Sequence, residues 1–247
     1  MNIKRETVVR ALVGSHNYNL NNERSDKDYK MFVMPTFEDL YKGKMYQKSI
    51  ISQEEDVDVH DLRKIPNLFW KANINFLEVL FSVDVGVNVK YEEFWDELVE
   101  NRECIATANL PYLYNACVGM SMNKRANMDK YSESMEYSRR FGYNVKEAAH
   151  AYRLLNFLER YEKCENFEAS IWYPEDSSGA VIRLIREGVF SRKEMERILD
   201  RAEARVVEMK TWYYAKEVDK EVWKWLDRTV MELIKKEITW WKEESEI

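Results

Sequence analysis

The chain has 247 residues, a formal net charge of −6 at pH 7, 45% hydrophobic and 33% charged residues, and only seven Gly and four Pro. This composition is typical of a folded, helix-rich protein and excludes a largely disordered chain, while the acidic charge argues against a generic basic coat for DNA. No apolar run approaches the roughly 18 residues that a membrane-spanning helix needs, and residues 1–5 lead into a strand-like run, not a signal peptide. We expect a cytoplasmic protein with no membrane partner.

The first third of the chain has the pattern of a small sheet with short helices. Apolar, β-branched runs predict strands at residues 7–13, 29–34, 45–52 and 55–59. The first strand stops at Gly14-Ser15, which indicates a tight backbone turn. A short helix is predicted from Thr36, and a longer helix over residues 61–82 with a bend near Pro66.

From about residue 91 onward, apolar residues recur at three- and four-residue intervals, which predicts helices to the end of the chain. Ser191 with Glu194 indicates a capped helix start. The predicted fold class is therefore α+β, a small mixed-sheet domain over residues 1–90 followed by an all-helical domain over residues 91–247. Five tryptophans in the last 40 residues favour packing in the core or between domains over an interaction surface.

The cysteines are too widely spaced to predict a metal site or a disulfide framework. Cys104, Cys117 and Cys164 contain no CxxC pair. We expect free thiols.

Asp26 and Asp28 are the first candidates for chemistry. Carboxylates at positions i and i+2 of a strand point to the same face, so this pair could hold one or two divalent ions between its oxygen atoms. Such ions suit phosphoryl or nucleotidyl transfer, and hard oxygen ligands favour Mg²⁺ or Mn²⁺. A lone DxD is weak evidence, since acidic pairs occur in many solvated turns.

Gly14-Ser15, shortly upstream of this pair, strengthens the interpretation. Gly lets the backbone approach a ligand closely, and Ser adds a hydroxyl beside exposed amides, a combination that can bind a triphosphate. A third carboxylate is needed as a base or metal ligand. Asp56 and Asp58 share one face of the last predicted strand, and spacing alone permits either.

These motifs together resemble the signature of the DNA polymerase beta nucleotidyltransferase superfamily. More narrowly, they resemble its bacterial and phage subgroup linked to RNA repair. The residues that carry the resemblance are Gly14-Ser15-His16-Asn17-Tyr18-Asn19-Leu20, Ser25-Asp26-Lys27-Asp28-Tyr29, Asp56, Asp61-Leu62-Arg63-Lys64, the run from Asn73 to Phe81, and Lys146-Glu147-Ala148-Ala149-His150-Ala151-Tyr152-Arg153-Leu154-Leu155. With this resemblance, we expect residues 1–90 to form the catalytic domain and residues 91–247 a helical domain that completes the substrate cleft. The resemblance extends over most of the first 160 residues.

The resemblance implies that Asp56, and not Asp58, is the third carboxylate. It also places Asn19 where the family usually has Gly, which Asn tolerates if the position is left-handed. His60 shares the strand face of both Asp residues. A lone His at a strand end more often has a structural role than contacts substrate.

Lys146, His150 and Arg153 fall at i, i+4 and i+7 of a predicted helix and form one polar stripe. A solvated helix face explains that spacing equally well. The resemblance favours nucleotide binding, because a triphosphate needs cations that the N-terminal domain offers in small number.

The leading hypothesis is a metal-dependent nucleotidyltransferase that moves a nucleoside monophosphate from a nucleoside triphosphate to an acceptor. The acceptor could be a nucleic-acid end such as RNA, a protein or a small molecule, and the sequence leaves the oligomeric state open. The alternative is a non-catalytic nucleotide- or RNA-binding regulatory module with the same fold.

Overall fold

The computed structural model describes residues 5–23, 25–52, 55–129, 140–174 and 179–244, with side chains up to residue 238. The chain forms two compact units. The first comprises Met1–Asn109 together with Asp219–Ile247, and the second comprises Leu110–Val218. The C-terminal helix therefore packs with the first unit, whereas the functional division at residue 90 stays a prediction.

The first unit contains a five-stranded mixed sheet. Its strands are β1 (Thr7–Val13), β2 (Lys27–Val33), β3 (Gln47–Ile51), β4 (Glu55–Asp61) and β5 (Val85–Val87). They lie in the order β3-β4-β2-β1-β5, with β2 and β4 parallel and the other neighbours antiparallel. The four predicted strands are confirmed. The prediction missed β5, because the three residues Val-Gly-Val are too few to show an alternating pattern.

One face of this sheet is apolar and supplies a core. That face carries Leu12, Tyr29, Met31, Val33, Val57 and Val59, all buried. Because successive side chains of a strand alternate between faces, the residues between them on β2 and β4 lie on the opposite face. Asp28, Asp56 and Asp58 therefore share the face opposite this core.

The helices follow in chain order. They are α1 (Phe37–Tyr41), α2 (Ile65–Trp70), α3 (Ile74–Leu77), α4 (Glu92–Glu100), α5 (Arg102–Thr107), α6 (Leu110–Ala126), α7 (Val145–Cys164), α8 (Phe167–Ile171), α9 (Ala180–Arg186), α10 (Arg192–Ala215) and α11 (Lys220–Glu244). The short helix predicted from Thr36 is confirmed as α1, and Thr36 caps it with a reciprocal bond to Asp39. The predicted α+β class with a helical C-terminal part is confirmed.

The predicted single helix over residues 61–82 is wrong. The chain forms two short α-helices there, α2 and α3, flanked by 3₁₀ turns. Pro66 lies in the first turn of α2, where no intrahelical N–H bond is lost, so it starts a helix and does not bend one. The break falls at Ala72, whose φ is 46°, and Asn73 caps α3 by accepting the Asn75 N–H at 3.1 Å.

The second unit is helical throughout its described ranges. Its central helix is α7, which packs against α6, α9 and α10. Asn144 caps α7, and Ser191 with Glu194 forms the predicted capping box at the start of α10. Glycines with positive φ, Gly142 and Gly188, separate helical segments.

The tryptophans near the C-terminus take different roles. Trp212 packs edge-on against Tyr213 and Tyr161 within the second unit. Trp225 donates to Glu97 Oε1 at 3.2 Å within the first unit, and the side chains of Trp240 and Trp241 lie outside the described residues. Trp212 and Trp225 thus each contact residues of their own unit.

The three cysteines are free thiols, with Cys117 buried and Cys104 and Cys164 exposed. No helix in the described part of the chain combines the length and apolar character that a bilayer crossing requires.

Candidate active site

The turn after β1 is held by hydrogen bonds from its own backbone and from a buried glutamate. Gly14 has φ 73°, and its N–H donates to Glu78 Oε2 at 2.9 Å. The Tyr18 N–H donates to the Gly14 carbonyl at 3.1 Å, and the Leu20 N–H to the Ser15 carbonyl at 2.9 Å. The predicted tight turn is confirmed. Gly14 and Ser15 are its first residues and directly follow the end of β1.

Two further residues hold this turn in place, and the sequence interpretation did not assign them. Glu78 is 2% exposed, and Asn17, 1% exposed, accepts the Val83 N–H at 3.0 Å. Glu78 is the single acidic residue in the apolar run from Asn73 to Phe81. That isolated charge was the sequence signal that could have indicated its role. Asn19 has φ 59°, so the left-handed position expected for it is confirmed.

Asp28 lies against the Gly14 backbone. Val13 and Asp28 are register partners on β1 and β2. A Cβ built on Gly14 would lie 2.8 Å from Asp28 Oδ2, closer than real Cβ contacts allow. A side chain at position 14 would therefore force this carboxylate to shift.

Asp28 and Asp56 are direct register partners on the parallel strands β2 and β4. Paired strands lie about 4.8 Å apart, and partnered residues of parallel strands point to the same side. Asp26 is exposed and precedes the strand, which begins at Lys27. The assumption that Asp26 and Asp28 occupy one strand is therefore corrected: strand alternation fixes the side of Asp28 but not of Asp26.

Asp58 lies one pleat further along β4 and has its own partners. Ser49 Oγ donates to Asp58 Oδ1 at 2.6 Å, and Lys30 Nζ lies 3.5 Å from Oδ2. Burial raises the pKa of Asp58, but the Ser49 hydrogen bond and the Lys30 charge outweigh burial and leave the pKa below its usual value. This carboxylate is thus held ionised by neighbours within the sheet.

His60 is buried beside this pair. It is 4% exposed, lies between the rings of Phe32 and Phe76 with centroid distances of 6.0 and 5.0 Å, and its Nε2 is 3.8 Å from Asp58 Oδ2. Burial, followed by the charge of Lys30, lowers the pKa of His60 to about 4. The ring is therefore neutral at pH 7, and its burial favours a structural role.

Lys146, His150 and Arg153 all lie on α7 in the second unit, whereas Gly14, Ser15 and the four aspartates lie in the first. Lys146 is exposed, His150 is partly buried, and Arg153 is 5% exposed. The predicted stripe therefore runs from solvent into the interior of the unit, so it is not uniformly solvated.

A divalent cation would find oxygen ligands at the strand ends. Asp28 and Asp56 supply carboxylates from adjacent strands, and oxygen is the donor that Mg²⁺ and Mn²⁺ prefer. Within the described ranges, no three His, Cys, Asp or Glu side chains lie close enough together to form a metal site as they stand. The donor type of the Asp28 and Asp56 pair fits such an ion.

A known protein family matches about the first two thirds of the chain. The sequence profile of the RNA repair pathway DNA polymerase beta family matches residues 2–161, well over half of the chain. No curated protein matches the chain. The matched region contains Gly14, the paired strands of Asp28 and Asp56, and the start of α7, and the family supports a nucleotidyltransferase type of function. The chain belongs to the RNA repair pathway DNA polymerase beta family.

Proposed function

We propose that this protein is a metal-dependent enzyme that transfers a nucleoside monophosphate from a nucleoside triphosphate to a hydroxyl acceptor. The proposal depends chiefly on one observation, the register pairing of Asp28 with Asp56 beside the Gly14 turn. Two carboxylates on one sheet face, next to a backbone that can approach phosphate, form the arrangement that such a transfer needs.

Asp56 is the better candidate for the third carboxylate on structural grounds. It is the register partner of Asp28, whereas Asp58 is the register partner of Lys30 and pairs with it. A carboxylate that already neutralises a lysine is a weaker base and a weaker metal ligand than one without that charge beside it. In this proposal Asp56 is therefore the third carboxylate.

Mg²⁺ or Mn²⁺ would be held by Asp26, Asp28 and Asp56. When bound, such an ion lowers the pKa of an attacking hydroxyl and offsets charge on the leaving pyrophosphate. The protein itself positions the groups. The sheet holds the Asp28 and Asp56 carboxylates in register, and the turn at Gly14 lies next to Asp28.

In the proposed reaction the acceptor hydroxyl oxygen attacks the α-phosphorus of the triphosphate. A new P–O bond forms, and the bond from the α-phosphorus to the α,β-bridging oxygen breaks. Pyrophosphate leaves with that electron pair, and the hydroxyl proton passes to the Asp56 carboxylate and from there to water. The Ser15 hydroxyl, next to Gly14 in the turn, is the donor closest in sequence for the phosphate oxygens.

The test is a transfer assay on the purified full chain. Protein, Mn²⁺ and each α-labelled triphosphate are incubated separately with RNA, DNA and protein acceptors, and transferred label is measured. We expect label on one acceptor class, abolished by Asp28→Asn, which removes a carboxylate charge with almost no change in volume. Asp96→Asn, an exposed position on α4, is the matched control and should transfer normally.

Near-normal transfer by Asp28→Asn would contradict the proposed site. Nucleotide or RNA binding without transfer to any acceptor would favour a non-catalytic binding module with the same fold. Thermal melting of both variants checks that a loss of transfer is not a loss of folding.

A further inference from the structure

Helix α1 presents two aromatic rings to solvent. Phe37 is 72% exposed and Tyr41 is 82% exposed, more than any other aromatic side chain of the described residues. The two residues lie one helical turn apart, and their rings stack with centroids 6.3 Å apart and an interplanar angle of 20°. Large apolar groups that are exposed side by side mark binding surfaces, whereas single exposed ones are ordinary. The pair is therefore a flat aromatic surface on which a ligand can lie.

Arg5 holds this helix beside the start of β3. Its guanidinium donates to both carboxylate oxygens of Asp39 on α1, at 2.7 and 2.6 Å, and lies 3.7 Å from the centroid of the Tyr46 ring. The Lys44 N–H also donates to the Asp39 carbonyl oxygen at 2.8 Å. Because Tyr46 directly precedes β3, the aromatic pair lies on the helix next to the first residue of that strand.

Strand β3 leads from α1 to the candidate active site. It is the terminal strand of the described sheet. Its first residue, Gln47, accepts from Lys64 Nζ at 2.7 Å, and its last residue, Ile51, is the register partner of Asp56 and 80% exposed. At about 3.3 Å per residue the strand covers roughly 13 Å. An extended ligand that follows this edge would therefore run from α1 to Asp56.

The same edge is basic, although the chain as a whole is acidic. Residues 40–52 contain three lysines and no acidic residue. Lys42 pairs with Glu38 on α1, whereas Lys44 and Lys48 are exposed and form no ion pair within the described ranges. A polyanion that lies along β3 would therefore replace water, and not a carboxylate, around Lys44 and Lys48. Helix α1 and residues 42–51 are called the α1–β3 edge below.

We propose that the α1–β3 edge binds a single-stranded nucleic acid, with bases stacked on Phe37 and Tyr41 and phosphates beside Lys44 and Lys48. A single strand exposes the faces of its bases, which stack on aromatic side chains whatever the sequence, while lysines follow its backbone. In the proposed transfer reaction this strand is the acceptor, whose end reaches Asp56. That role rests on the proposed function, whereas the binding does not.

The first experiment measures binding without transfer. The full chain, in EDTA to remove divalent ions, is titrated into a short fluorescent RNA, the DNA of the same sequence, or the duplex of that DNA, and anisotropy is measured. We expect a single strand to bind at least about tenfold more tightly than the duplex, because paired bases do not leave their own stack. Binding of either strand supports the proposal and identifies the sugar that the edge accepts. Equal affinity for the duplex would overturn it.

Substitution of the rings separates base stacking from ordinary apolar contact. The double variant Phe37→Leu with Tyr41→Leu keeps apolar, helix-forming side chains and should weaken single-strand binding at least about fivefold, the low end for loss of a stacked base. Tyr41→Phe keeps the ring and should bind normally. Tyr112→Leu, at an exposed tyrosine of α6, is the matched control. Unchanged binding by the double variant, or an equal loss in the control, would contradict stacking on this pair. Circular dichroism checks that each variant keeps its helices.

Lys44→Met and Lys48→Met test the phosphate contacts. Each should make the slope of log affinity against log salt concentration shallower by about 0.7, the value for one phosphate contact of a single strand. Lys220→Met, at the exposed first residue of α11, should leave the slope unchanged. The same change in all three variants would mean general attraction to lysines and would overturn a defined path along β3.

A second copy of the chain is the competing occupant of the two rings, and analytical ultracentrifugation tests it. We expect the molecular mass in solution to be the same for the natural chain and the double leucine variant. A dimer that this variant dissociates would assign the rings to self-association and overturn the proposal.

The two proposals fail in different ways. Single-strand binding without transfer of label to any acceptor counts against the proposed function alone. Transfer to an oligonucleotide that the double leucine variant performs as well as the natural chain counts against this inference alone.

Discussion

At the scale of single residues, the candidate site depends on the absence of a side chain at position 14. Gly14 has both a positive φ and a neighbour, Asp28 Oδ2, inside the space that a Cβ would fill. The glycine therefore meets two requirements at once, a left-handed backbone and close approach of a carboxylate. The two requirements can be separated, because Gly43 has a similar φ of 60° with nothing within 4 Å of its would-be Cβ.

We predict that Gly14→Ala lowers the free energy of unfolding by at least about 2 kcal/mol, from the cost of a left-handed alanine plus the clash. It should also reduce nucleotidyl transfer, because the Asp28 carboxylate must move. Gly43→Ala should cost about 1 kcal/mol, the backbone term alone, with normal transfer. Urea unfolding and the transfer assay measure both; equal destabilisation by the two changes would show that the contact with Asp28 costs nothing.

At the scale of secondary-structure elements, the register between β2 and β4 decides which aspartates meet. Asp28 pairs with Asp56, and Lys30 pairs with Asp58 two residues on. A shift of two residues would keep every side chain on its face but exchange these partners. The antiparallel pairing of β3 with β4 places Ser49 opposite Asp58, so Asp58 has a partner on each of its two neighbouring strands.

We predict that Asp56→Asn lowers the transfer rate at least about a hundredfold, the lower end of what a positioned base contributes. Asp58→Asn should lower the transfer rate less than Asp56→Asn does, because the Asp58 carboxylate interacts with Lys30 and Ser49. It should instead reduce stability, since Lys30, whose side chain is 11% exposed, loses its ion pair. Single-turnover kinetics with thermal melting separates the two effects, and the reverse order of rates would mean that the proposed register of functional residues is wrong.

At the scale of the whole molecule, the first unit is built from two separate segments of the chain, and the second unit from the one continuous segment between them. Helix α11 packs against α2 in the first unit, and Lys90 forms an ion pair with Glu237 on that helix. The family match ends at residue 161, inside α7. The last helix is thus outside the matched region but forms part of the unit that carries the candidate site.

We predict that the stability of the folded chain falls as the pH is lowered from about 6.5, the unfolded value for histidine, to about 4. The pKa of His60 is lowered to about 4, by burial first and then by Lys30 and Lys64, against an opposing effect of Asp58. Between these pH values the unfolded chain binds a proton that the folded chain does not, so unfolding becomes more favourable as the pH falls.

Substitution isolates this contribution from that of His150, whose pKa is also lowered. His60→Phe, at a site already bordered by Phe32 and Phe76, should make the unfolding free energy less dependent on pH across this window. Urea unfolding at half-unit pH intervals measures the slope. A variant slope equal to that of the natural chain would show that His60 does not titrate differently on folding.

The sequence by itself determined the features that depend on near neighbours. Strand periodicity placed Asp28 on the face opposite the buried Tyr29 and Met31, the Gly14-Ser15 pair marked the turn, and Ser191 with Glu194 marked a helix start. Each is encoded within a few residues, because side-chain alternation, positive φ and capping are local properties. The family motifs could likewise be recognised, because each is a short run of residues.

Only the tertiary structure decided which of these residues meet. Asp56 became the partner of Asp28 through parallel pairing of strands separated in sequence by α1 and β3, and Lys30 was assigned to Asp58 by the same register. The apolar periodicity of the sequence also did not predict the helix break at Ala72 or the packing of α11 with the first unit. Pairing register and helix docking depend on the summed burial and hydrogen bonding of segments far apart in the chain, so no short stretch of residues encodes them.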